Sequence, residues 1–136
     1  MLVRQSKNSY IRCTSRYGYI INQLTRHDRV YNETGADFLS QINRIPQEID
    51  HIVEILVKEY EDVSYNELLN DFKAFVSDLE KDKFVITGET PEEIDSKEEV
   101  FTYEIDNPKT IESDFAQTTK EYISENTQEF FHEELQ

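Results

Sequence analysis

Residues 64–86, SYNELLNDFKAFVSDLEKDKFVI, decide the fold. The run SYNE at 64–67 has the Ser-x-x-Glu form of a capping box, in which Ser and Glu side chains satisfy the free N–H groups at a helix start. Leu68, Leu69, Phe72, Phe75, Val76 and Leu79 follow at spacings that gather them on one face, so 64–82 reads as an amphipathic helix. Phe84, Val85 and Ile86 form a short apolar run that should dock on the helices before the fold closes at Gly88.

Upstream, Ile49, Ile52, Val53, Leu56 and Tyr60 recur every three or four residues and mark another helix. Before it, Asn32 or Thr34 is a candidate cap for a helix carrying Ala36, Phe38, Leu39 and Ile42 and ending at Arg44 and Ile45. Pro46 then suits the first turn of the next helix. Residues 9–32 are β-branched and aromatic, broken by turns at 15–18 and 25–28, and read as three short antiparallel strands. So small a sheet needs helices over one face. The expected fold is α+β and winged helix-turn-helix-like: a three-stranded antiparallel sheet followed by three helices, over residues 1–87.

Charge divides the chain. Its 136 residues carry a net −15. Residues 1–86 hold eleven basic and fourteen acidic side chains, while 87–136 hold three and fifteen, so the acidity belongs mostly to the tail. Residues 88–136 therefore read as an acidic linker, interrupted by an extended patch at 100–103. A C-terminal amphipathic helix carrying Phe115, Tyr122, Ile123, Phe130 and Phe131 follows. Such a helix needs a cover, either a partner or a second copy of the chain in a homodimer.

Several chemistries find no support. Glycine occurs only at 18, 35 and 88, so there is no Gly-rich phosphate loop, and no nucleophile elbow. His27, His51 and His132 stand in unrelated contexts without partners at ligand spacing and read as surface or structural residues. Cys13 alone makes no disulfide, Cys-rich zinc site or iron–sulfur cluster, which fits a reducing, cytoplasmic setting without cofactors. No apolar run approaches the ~20 residues of a membrane span. The third helix has Lys73 and Lys81 against Glu67, Asp71, Asp78, Glu80 and Asp82, so DNA phosphates would be repelled. A non-catalytic winged module that binds protein or peptide is the expectation; an acidic scaffold or regulator without a peptide substrate is the alternative.

Residues 32–86 also resemble the PqqD-like family, the RiPP recognition elements that bind leader peptides of ribosomally made, post-translationally modified peptides. The likeness rests on Asn32 closing a strand, Phe38, Leu39 and Ile42 on one helix, Ile52, Leu56 and Tyr60 on the next, Asp71, Phe72, Phe75 and Leu79 on the third, and the closing run 84–86. Where the family often has Gly, before the second helix and before the last strand, this chain has Arg44, Ile45, Pro46 and Asp82, Lys83.

The resemblance implies that a leader peptide adds as an antiparallel strand to the free edge of the third strand, with its apolar side chains in a groove against the third helix. Arg29, Val30, Tyr31 and Asn32 would form that edge, and Leu69, Phe72, Lys73 and Val76 the groove, with Lys73 placed to meet an acidic leader residue; Leu69, Phe72 and Val76 read equally well as core. Residues 114–136 resemble the segment that joins such elements to the barrel of radical SAM/SPASM peptide maturases. That likeness implies a maturase partner in cis or in trans.

Overall fold

The computed structural model describes residues 1–106. Within the compact unit Met1–Glu98, two small antiparallel sheets share one core with the helices. The first sheet has the order β5-β1-β6, with β1 Leu2–Gln5, β5 Gln47–Glu48 and β6 Val85–Gly88. The second has the order β2-β3-β4, with β2 Ser9–Cys13, β3 Gly18–Asn22 and β4 His27–Tyr31. It is the expected meander, with its last strand beginning at His27 because the turn closes at Arg26, whose φ is 64°. Helices α1 Glu33–Ser40, α2 Ile49–Val57 and α3 Tyr65–Lys81 follow, and α4 spans Pro91–Asp106. The architecture is α+β and winged-helix-like, as the sequence predicts.

Helix α3 forms where the periodicity places it. Ser64 Oγ accepts from Glu67 N at 3.1 Å, closing the N-terminus. Phe72 and Leu79 are fully buried, packed with Leu39, Ile52, Leu56, Ile20 and Phe84. At the other end Lys83 takes a left-handed φ of 60°. Lys83 N bonds to Glu80 O and Phe84 N to Leu79 O at 3.0 and 3.1 Å, the pattern of a Schellman cap. Lys83 thus occupies a backbone position that usually calls for glycine.

Buried polar side chains join the β2-β3-β4 sheet to this cap. Asn22 Nδ2 and Ser6 Oγ donate to Lys83 O at 2.8 and 2.6 Å, and Ser9 Oγ to Phe84 O at 2.9 Å. One face of the sheet packs on α1 with no spare room: a Cβ on Gly18 would come within 2.9 Å of Ala36 Cα.

Several elements differ from expectation. Pro46 does not open the second helix: residues 47–48 form β5, and α2 starts at Ile49 and ends at Val57, before Tyr60. Helix α1 stops at Ser40, and Arg44 instead donates to the carbonyls of Ser6, Lys7 and Ser9 at 2.8–3.2 Å, tying the next loop to the β1–β2 turn. Strand β1 lacks an apolar signal because Arg4 is buried by the distant Asp95 and Glu98, and Gln5 is buried while donating to Ser9 O. Residues 91–106, read as connector and extended patch, are helical. Ile94 is fully buried and Glu98 nearly so, so the residue-87 boundary lies inside the compact unit. The expected C-terminal helix and any dimer through it fall at 107–136, outside the described residues.

Candidate functional site

The fold leaves strand edges, and it closes some of them. On β6, Thr87 N and Oγ1 donate to Glu80 Oε2 at 2.9 and 2.8 Å while Lys97 Nζ donates to Thr87 O at 2.8 Å, so charged side chains occupy that edge. Strand β5 is two residues long. On β2 the carbonyl of Ser9 accepts from Gln5 Nε2 and Arg44 Nη2. Strand β4 is the outer strand of its sheet and runs beside α3.

Hydrogen-bond parity shows which β4 groups are free. Gln23 N bonds to Asn8 O and Thr14 N to Tyr17 O. In the register Ser9↔Asn22, the bonded β2–β3 pairs are therefore Tyr10–Ile21 and Arg12–Tyr19. Gly18, Ile20 and Asn22 then turn their backbone groups to Tyr31, Arg29 and His27. The N–H and C=O of Asp28 and Val30 face outward, and among the described residues none bonds them.

Side chains alternate to match. Asp28 and Val30 lie on the outer face, Val30 being 68% exposed beside its cross-strand neighbour Tyr19. His27, Arg29 and Tyr31 reach α3. Arg29 Nη1 and Nη2 donate to Asp78 and Asp82 respectively, Tyr31 OH donates to Asp78 Oδ2 at 3.2 Å, and His27 Nδ1 lies 3.2 Å from Asp82 Oδ1. Burial acts to lower the Arg29 guanidinium and is outweighed by Tyr31, Asp82 and Asp78, leaving it above its ordinary value. Burial likewise raises the Tyr31 phenol, against the opposing pull of Arg29. The Tyr31 ring meets Phe75 edge-on at 4.9 Å, and Phe75 meets Phe38 at 5.3 Å.

Local sequence holds this strand in place. Asn32 Oδ1 caps α1 by accepting from Gly35 N at 3.1 Å. Gly35 has no Cβ, which allows the Tyr31 side chain to lie against it; an added Cβ would collide with Tyr31 Cβ.

The expected site residues separate into two groups. Arg29, Val30, Tyr31 and Asn32 are the edge and its end. The groove reading of α3 needs correction: Phe72 and Val76 are 0% and 2% exposed and belong to the core, and Leu69 packs half-buried against it. Lys73 is exposed, but at 100° per residue it stands roughly 160° from Phe75, on the flank away from β4. The residues that meet β4 are Phe75, Asp78 and Asp82. Asp78 and Asp82, four apart and so on one face, with Arg29 as the basic residue of the strand, were the sequence signal for this contact.

A cleft of about 350 Å³ lined by Arg4, Gln5, Lys7, Arg44, Pro46, Pro91 and Asp95 lies elsewhere. Its most buried cation, Arg4, is committed to Asp95 and Glu98. Among the described residues, no cluster of three or more His, Cys, Asp or Glu could hold a metal ion, and no helix is long and apolar enough to cross a membrane.

Comparison with known proteins covers this part of the chain. Residues 23–85 match the family described as coenzyme PQQ synthesis protein D (PqqD). No curated protein matches the chain. A solved structure titled "TbiB1 in Complex with the TbiA(beta) Leader Peptide" is similar in fold, with a TM-score of 0.53 at 14% identity, covering 60% of this chain and 93% of that one.

Proposed function

We propose, from the PqqD-like domain at residues 23–85, that this chain captures the leader segment of a ribosomally synthesised precursor peptide by strand addition at β4. The observation that carries the reading is the outward-facing backbone of Asp28 and Val30 next to α3. Open N–H and C=O groups at a sheet edge give an extended peptide its affinity, and alternate side chains give specificity. The solved structure of similar fold carries a leader peptide by its title, which supports the same use here.

On this reading the edge is 28–32, with Arg29, Val30, Tyr31 and Asn32 in contact with the peptide. Tyr31, Phe75 and Asp78 line the groove, and Leu69, Phe72 and Val76 form the support behind it. Recognition is placed on residues 1–87, and the first half of α4, to Glu98, packs on that domain before the acidic segment that follows. The chain performs no chemistry on the peptide; it delivers the core to a modifying enzyme of the radical SAM type, in cis or in trans. Tethering recognition to catalysis raises the effective concentration of the core without any new contact at the reacting centre.

The experiment is a titration of the isotope-labelled chain with the precursor encoded beside its gene. Amide signals of 28–32 and of Phe75 and Asp78 are expected to move together. A precursor that binds while moving only other signals overturns the site, and one that does not bind overturns the function.

A further inference from the structure

The edge of β4 has a wall beside it, and that wall is charged. At about 100° per residue, Glu67, Asp71, Ala74 and Asp78 form a stripe on α3. It lies next to Phe75 and on the far side from the core residues Phe72, Val76 and Leu79. His27 and Arg29 meet Asp82, whereas Tyr31 meets Asp78 and Phe75, so β4 runs antiparallel to α3. Past Tyr31 the wall therefore continues to Asp71 and Glu67.

Both of these are exposed, and no ion pair or side-chain hydrogen bond among the described residues engages either carboxylate. Asp78 keeps 44% of its side chain exposed despite Arg29. Glu33 opens α1 at the same end of the strand. Arg29 has both arms committed to Asp78 and Asp82 and offers no free guanidinium edge to an acidic ligand.

In a strand added outside β4, residues bonded to Asp28 and Val30 share their outer face, and those in between turn toward α3. We infer that the site selects a cationic strand, with Lys or Arg at the α3-facing positions and apolar residues at the alternate ones. The outer positions extend the Tyr19 and Val30 face; the inner ones meet Asp78, Asp71 and Glu67 in turn. Antiparallel addition places the basic residues nearest the peptide's N-terminus beside Asn32. This inference rests on the strand-addition reading and names the peptide chemistry for it.

The test uses the full chain and three short synthetic probes in which Val alternates with Lys, Ser or Glu, followed by fluorescence anisotropy and backbone amide shifts. The Val/Lys probe is expected to bind about tenfold tighter than Val/Ser and to move the amides of Asp28 and Val30. That gain is lost in the double variant Glu67→Lys, Asp71→Lys. It persists in Glu54→Lys, Glu92→Lys, which makes the same change in net charge at other exposed positions. Equal or tighter binding of Val/Ser or Val/Glu, with the same two amides moving, overturns the charge selection and leaves strand addition standing. So does failure of every probe while the neighbouring precursor still moves those amides. Binding of Val/Lys that leaves Asp28 and Val30 unmoved overturns both.

Discussion

Arg4 and Glu98 meet inside the protein: Nη1 donates to Oε1 at 2.6 Å, and both side chains are 5% exposed. Burial acts to lower the guanidinium and is outweighed by Asp95 and Glu98, so it stays charged. Glu98 Oε2 also accepts from Lys7 N at 2.9 Å, which fastens the middle of α4 to β1 and the turn after it. Glu98→Ala leaves a buried cation with the 60%-exposed Asp95 as its remaining carboxylate, beside the Gln5 carbonyl. The expected loss is about 3 kcal/mol in urea unfolding, against less than about 1 kcal/mol for Asp95→Ala. Equal costs for the two would show that the buried pair does not hold the helix.

Lys83→Gly acts in the opposite direction. A lysine at φ 60° carries the left-handed penalty that glycine avoids, so the variant is expected to gain about 0.5–1 kcal/mol. The cap bonds involve only main-chain atoms of Lys83 and Phe84 and survive the change. Thermal unfolding reads the result, and a lower midpoint would show that the lysine side chain contributes more than the strain removes.

Gly35→Ala is expected to damage the edge from beneath. The new Cβ forces Tyr31 away from α1, costing about 1–3 kcal/mol and separating the Tyr31 and Phe75 rings. Stability and precursor affinity should fall together, and the amide of Tyr31 should shift in the free variant.

Arg29→Ala removes the cation between Asp78 and Asp82 and leaves two carboxylates side by side. Because these groups are a quarter to nearly half exposed, the expected cost is no more than about 1 kcal/mol. Hydrogen exchange across β4 should accelerate while the core of α3 is unaffected. A change spread evenly over the domain would mean that the network does not specifically hold the strand.

Much of this was legible in the residues, for physical reasons that differ from element to element. Helix α3 announces itself because its cap and its apolar spacing agree. Strand β1 does not, because Arg4 is buried only by carboxylates more than ninety residues away. Helix α4 buries Ile94 and Glu98, and one buried apolar residue among many acids leaves no periodic signal. Val30 and Tyr31 read as a strand from their β-branched and aromatic character, whereas the use of 29–32 as a binding edge is what the family resemblance implies. Phe72 and Val76 read equally well as core or groove because they share a broad apolar stripe with Phe75, and only the contacts to β4 tell these positions apart.

Backbone hydrogen exchange on β4, with and without the precursor encoded beside the gene, tests the central claim most directly. In the free chain the account predicts fast exchange at Asp28 and Val30 and slow exchange at Arg29 and Tyr31, whose amides bond to β3. On adding the precursor, Asp28 and Val30 should become protected while the other two change little. Protection of all four in the free chain, or bound precursor with Asp28 and Val30 still exchanging fast, would contradict strand addition at this edge.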